Sequence, residues 1–199
     1  MRRALRSAAG LLFLPAAAAS AQRPALGAAF DPATRAAIQS IVDSARADGL
    51  PADALVNKAL EGAGKHAAGP RIVGAVRMLY GELAASREAL GAASRRDEVT
   101  AGAQALHAGA ATPDLHALRL AAGRRPLGMP LMVLTDLMSR GVPPETAAGI
   151  MDSLVRAGAR DADLVAFQRN VRLDVDRGAA PAAAATTRVR GALAALRSH

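Results

Sequence analysis

Short apolar segments with helical spacing, most of them ended by glycine or preceded by proline, constrain the fold of this chain more than any other feature. In the first segment, Asp31-Pro32 is a typical helix start, and Ile38 and Val42 recur on one face. Gly49 then supplies the residue type that most readily ends a helix. Alternation of apolar and polar residues, which would indicate strands, is almost absent. The sequence therefore predicts an all-α protein.

Repetition of this pattern predicts seven or eight short helices, stacked as helical hairpins in a bundle or a short solenoid. The spacing places them at residues 32–48, 51–63, 70–90, 97–108, 112–122, 130–140, 143–157 and 161–177. A further short helix fits residues 189–196, although no sequence signal requires it to dock.

The composition indicates what the core contains. From residue 22 onward the chain has three aromatic residues, namely Phe30, Tyr80 and Phe167. Aromatic side chains each bury roughly 150–250 Å² and dominate many cores. We therefore expect a core of Leu, Ile, Val, Met and Ala between closely packed helices. Met129, Met132, Met138 and Met151 fit such core filling, with a surface for apolar partners as the alternative.

The N-terminus has the layout of a bacterial secretory signal peptide. Arginines at the start precede an apolar run over 8–19, which is shorter than the about 20 residues needed to span a bilayer. Small residues follow, so we expect cleavage between Ala21 and Gln22 and a soluble product that is periplasmic or secreted. Arg2-Arg3 leaves twin-arginine export as an alternative to the general secretory route.

These signals divide the chain into a signal peptide (1–21), an all-helical domain (22–177) and a low-complexity, Ala-rich basic tail (178–199). The formal net charge is +8. Six of the 25 basic residues lie in the signal peptide and the tail, which leaves 19 basic and 17 acidic residues in the domain. Because acidic and basic residues are interspersed along the domain, we expect no nucleic-acid partner. The chain has no cysteine, which excludes disulfides and thiol chemistry.

Two predicted helix junctions are similar to each other. Residues 105–118 align without gaps on 154–167, with six of 14 positions identical. A second pair joins 49–53 to 141–145, each with a glycine, a proline and an acidic residue. Internal duplication would explain both pairs, because a helix pair buries its apolar face only when neighbours stack on it. Convergence of Ala-rich helices on the same glycine stops is the alternative.

One stretch carries a spaced set of residues across the first glycine stop. It contains Gly49-Leu50-Pro51, Leu55, Lys58, Glu61-Gly62, Lys65 and Arg71-Ile72. This spacing resembles one found in exported bacterial helical proteins, over about 24 residues. The resemblance implies secretion and a helical fold, and it implies no activity and no functional residue. Gly141-Val142-Pro143 repeats only its opening.

His107 and His116 flank the first of the similar junctions, with Asp114 between them. Zinc takes histidine and carboxylate ligands, so a metal site is one interpretation of this group. The aligned junction has Arg156 and Val165 in place of the two histidines. Solvated surface histidines are the simpler interpretation, and we assign no catalytic, cofactor or metal site from the sequence.

Carboxylates also occur in pairs. Asp97-Glu98 and the pair Asp161 and Asp163 stand at predicted helix starts, where capping and the helix dipole account for them. Asp174 and Asp176 point to different sides of a helix and fit a charged face. A glycosidase-like pair would need two carboxyl groups across a cleft, often beside aromatic rings.

The leading hypothesis is a non-enzymatic protein of the cell envelope, without cofactor, that acts through protein–protein contacts. An exposed apolar groove would favour it. The alternative is a binder of anionic envelope polymers or a membrane surface, through Arg124, Arg125 and the basic tail. A hydrolase-type enzyme comes third, and it would need a cleft where His107, Asp114 and His116 converge.

Overall fold

The computed structural model describes residues 29–198, so the predicted signal peptide lies outside the described residues. Within that range the chain forms nine α-helices and no strand, which confirms the all-α prediction. The helices are α1 (Pro32–Ala47), α2 (Ala52–Gly64), α3 (Gly69–Leu90), α4 (Arg96–His107), α5 (Thr112–Ala122), α6 (Gly128–Ser139), α7 (Pro144–Arg156), α8 (Asp161–Asp176) and α9 (Pro181–Arg197). The predicted boundaries of α1 to α8 agree within two residues.

Five helices end in the same way, because glycine adopts a left-handed conformation that other residues avoid. In each case the glycine φ lies between +68° and +110°. The N–H of the next residue then donates to the carbonyl oxygen five positions earlier, at 2.8 to 3.0 Å. These helices are α1, α4, α6, α7 and α8, and their glycines are Gly49, Gly109, Gly141, Gly158 and Gly178.

The helices pack in two rows. In one row α3, α5, α7 and α9 each contact the next member, and in the other α4, α6 and α8 do the same. The pairs α3–α4, α6–α7 and α8–α9 join the rows, while α1 and α2 pack on each other and on α3. None of the helices between residues 29 and 198 combines the length and apolarity of a bilayer span.

The apolar core of the described chain has two clusters. One lies among α1 to α4, and the other extends from α3 to α9. Aliphatic residues dominate both, as the low aromatic content predicts. Met138 and Met151 are buried in the second cluster, so core filling is the correct interpretation for these two. Met132 differs, because 56% of its surface is exposed.

The segment interpreted as a low-complexity tail contains α9. This helix begins at Pro181, eight residues before the optional helix at 189–196. Alanine is the strongest helix former, and its small side chain lets helices approach closely. Ala184 and Ala185 are accordingly buried, and α9 packs against α7 and α8.

An ion pair also holds α9. The Arg188 guanidinium donates two hydrogen bonds to the Asp174 carboxylate of α8, at 2.5 and 2.6 Å. This bidentate contact holds the pKa of Asp174 below its usual value. One of the three arginines assigned to the tail is therefore engaged within the fold.

Candidate protein-contact groove

The residues considered for a metal site are not brought together. His107 Nδ1 lies 2.9 Å from a carboxylate oxygen of Glu82, and His116 Nδ1 lies 3.3 Å from a backbone carbonyl at the end of α3. Asp114 accepts a hydrogen bond from the backbone N–H of Ala111, at 3.0 Å, and so caps α5. Between residues 29 and 198, no three His, Cys, Asp or Glu side chains are placed to hold a metal ion.

Glu98 is a buried carboxylate, with 3% of its surface exposed. One oxygen accepts from the backbone N–H of Arg95 at 2.9 Å, which is the capping contact that the sequence predicts. The other oxygen accepts from the N–H of Leu127 at 2.7 Å, just before α6. Arg119 stands 3.8 Å away on α5. Glu98 therefore ties three helices together.

Arg125 also stabilises the fold, because it joins two helices by hydrogen bonds. Its guanidinium donates to the carbonyl of Val155 at 2.6 Å and to two carbonyls at the end of α5, at 3.2 and 3.3 Å. These bonds join the C-terminal ends of α5 and α7, where cations are favoured. Its neighbour Arg124 is exposed.

A groove of about 750 Å³, here called the four-helix groove, crosses the successively packed helices α2, α3, α4 and α6. On the first three helices the lining residues recur at i, i+3, i+4 and i+7, so each helix contributes one face. The lining consists of Ala54, Asn57, Lys58 and Glu61; Ala75, Met78, Leu79 and Glu82; Thr100, Ala103, Gln104, His107 and Ala108; and Thr135 and Ser139.

Met78 and Leu79 are the large apolar side chains of this lining. Met78 is 56% exposed, Leu79 is partly buried and Ala103 is buried. The large apolar side chains with exposure above a third, among residues 29–198, are Met78, Leu120, Met132, Val165 and Leu173. Of these, Met78 lies in the groove. Exposed apolar surface in a concavity is typical of contact sites.

Polar side chains that are hydrogen-bonded to other side chains also line the groove. Glu82 contacts His107, and Glu61 accepts hydrogen bonds from Lys65 and Lys58. Two hydrogen bonds, the stronger contribution from Lys65 and the next from Lys58, hold the pKa of Glu61 below its usual value. At neutral pH this carboxylate is therefore ionised and already paired.

Two smaller hollows lie in the second half of the described chain. One of about 430 Å³ lies where α5 and α7 end and α8 begins. The other, of about 610 Å³, lies between α8 and α9 and is more polar, since Arg160, Asp163, Asn170 and Arg188 contribute to its lining. The four-helix groove is larger than both and has the more apolar lining.

Sequence patterns did not predict a contact role for Met78. The apolar row that indicates α3 includes Leu79, and Ala75 and Met78 extend this row along one side. An apolar arc that is wider than one packed face leaves part of itself exposed, so the width of this arc was the available signal.

Comparison with known protein families, with curated proteins and with solved structures finds no match to this chain.

Proposed function

We propose that this protein is exported to the cell envelope and acts there by binding a partner protein in the four-helix groove. Export is supported by the sequence up to Ala21, which has the charge, length and small residues of a cleavable signal peptide. The observation that carries the contact role is Met78, a large apolar side chain exposed to 56% within a mainly apolar groove.

The groove suits a helical segment of the partner. Its lining faces follow the helical spacing of α2, α3 and α4, which is the geometry of a helix laid into a groove. A partner helix with an apolar stripe would cover Met78 and Leu79 and release their water. Polar side chains of the lining, such as Glu82 and His107, are available for its polar flanks.

We further propose that the fold is a helical repeat, with α3–α5 and α6–α8 as two copies offset by 49 residues. Capping hydrogen bonds support this at the two similar junctions, where Ala111 N–H donates to Asp114 at 3.0 Å and Arg160 N–H donates to Asp163 at 2.9 Å. Helix packing supports it too. The contacts α3–α4, α3–α5 and α4–α6 recur as α6–α7, α6–α8 and α7–α9. Stacked repeats commonly bind partners on a concave face.

The alternative, binding to anionic polymers or a membrane surface, depends on free arginines. Arg125 donates to backbone carbonyls, and Arg188 is paired with Asp174, which leaves fewer cations for an anionic ligand. Arg124, Arg190 and Arg197 are exposed, and so is Arg125 despite these hydrogen bonds. Strong salt dependence of binding would support this alternative.

The test compares two equally exposed methionines. Full-length protein with its own leader is expressed in a Gram-negative host and captured from solubilised envelope, as wild type, Met78→Lys and Met132→Lys. Both methionines are 56% exposed, but only Met78 lines the groove. A buried unpaired charge at a contact costs several kcal/mol. The amount of partner captured by Met78→Lys should therefore fall about tenfold or more, whereas Met132→Lys should capture as much as the wild type.

Melting curves of the two variants provide the folding control. Retention of the partner by Met78→Lys, or equal loss in both variants, would contradict the contact role of the groove. Cytoplasmic protein that still begins at Met1 would contradict export.

A further inference from the structure

We propose that Met78 is an oxidation site, and that its conversion to the sulfoxide switches off the four-helix groove. This inference rests on the proposed contact role of the groove. The oxidant is a peroxide or hypochlorous acid. The thioether sulfur gains one oxygen atom and loses two electrons, while hydrogen peroxide is reduced to water, or hypochlorous acid to chloride with release of a proton.

The sulfur content of the chain restricts where such an oxidant reacts. The sequence has no cysteine, so methionine thioethers are its only sulfur groups. Met138 and Met151 are at most 9% exposed, and Met129 is partly buried. Met78 and Met132 are each 56% exposed. Accessible thioethers oxidise first, so these two side chains are the reactive ones in the described chain.

Position distinguishes the two exposed methionines. Met78 lines the groove together with Ala75, Leu79 and Ala103, whereas Met132 is not among the lining residues. A sulfoxide oxygen at Met78 is polar and holds water in the part of the groove that is otherwise apolar. An apolar stripe of a partner would have to remove that water without replacing its hydrogen bonds. Met132 lies on α6 one turn before Thr135 and outside the lining, so its oxidation should change the groove less than oxidation of Met78.

The experiment uses full-length Met78→Leu and Met132→Leu, since leucine replaces methionine with little change in volume. Each is treated with hydrogen peroxide, and oxidised positions are mapped by mass spectrometry of peptides. The probe for apolar surface is the dye anilinonaphthalene sulfonate. In Met132→Leu we expect peroxide to oxidise Met78 and dye fluorescence to fall by about half or more. In Met78→Leu, after the same treatment, we expect no such fall.

Slow oxidation of Met78 relative to Met132 in the wild-type protein would overturn the proposal. So would an equal fall of fluorescence in both variants, no fall in either, or no dye binding to the reduced protein. Partner capture is measured separately on reduced protein, which distinguishes the two proposals. Capture that fails while the dye result holds would overturn the contact role alone. Capture that survives oxidation of Met78 would overturn the switch alone.

Discussion

The α4–α5 and α7–α8 junctions share their backbone geometry but differ in the side chains around it. Gly109 and Gly158 both have positive φ and donate to the carbonyl three positions earlier, at 3.0 and 3.1 Å. Asp114 and Asp163 each accept from the N–H that precedes the next helix, at 3.0 and 2.9 Å. The turns therefore depend on a few residues, and neighbouring positions are free to differ.

The side chains that differ between the two junctions make different contacts. His107 lies in the four-helix groove and contacts Glu82 on another helix. Its aligned counterpart Arg156 bonds Asp152 on its own helix, at 2.7 Å. One junction thus contributes to a surface shared by several helices, while the other keeps its charge within one helix. Two turns with the same backbone geometry can therefore carry side chains that belong to different surfaces.

The largest expected effect concerns Glu98, whose counterpart 49 residues later is the buried Ala147. Glu98→Ala removes the acceptor for the N–H groups of Arg95 and Leu127, and it leaves the N–H of Leu127 buried without this partner. We expect a loss of on the order of 3 kcal/mol in the free energy of unfolding, measured by denaturant titration. Asp97→Ala, at the exposed neighbour, is the control and should change stability by about 0.5 kcal/mol or less. Equal effects would contradict the role of Glu98 as the link to α6.

The two junction glycines should respond alike. A Cβ at Gly109 would meet its nearest atom, Pro144 Cγ, at 3.4 Å, and one at Gly158 would meet open space. The cost of Gly109→Val and Gly158→Val is therefore that of the left-handed backbone, about 1–2 kcal/mol each by thermal melting. Unchanged melting in both variants would mean that the turns do not depend on positive φ.

Capping by the two aspartates is the next smaller effect. Asp114→Ala and Asp163→Ala each remove the acceptor for one N–H at a helix start, so each should lose about 1 kcal/mol in a denaturant titration. Asn at the same positions keeps an acceptor and should restore part of the stability. A loss at one junction only would argue against their equivalence.

The helix positions were predictable because glycine, proline and capping carboxylates act within a few residues of their own position. Asp31, Gly49 and Gly109 mark their helix ends in the sequence alone. The bond from Leu127 to Glu98 was not predictable, since it joins residues 29 positions apart through the packing of α4 on α6. The groove also depends on how four helices pack, which periodicity within one helix does not reveal.

Acid should weaken the docking of α9 on α8. Hydrogen bonds from Arg188 lower the pKa of Asp174, so the pair stabilises the fold above the usual pKa of 3.8 and is lost as pH falls through the lowered value. Arg188→Ala should thus be less stable than wild type at neutral pH and show a smaller loss on acidification. Arg190→Ala, at an exposed arginine of α9, is the control. Identical pH profiles of helical circular dichroism would contradict this role of the pair.

Photo-crosslinking in intact cells tests most directly whether the groove side of the fold makes the protein contact. The photoreactive residue p-benzoylphenylalanine replaces His107 in one strain and Arg156 in another, because their side chains are 63% and 60% exposed and occupy aligned positions. We predict an adduct with another protein from position 107, in exported protein that begins at Gln22, and none from position 156. Equal adducts from both positions, or none from position 107, would contradict a protein contact at the four-helix groove.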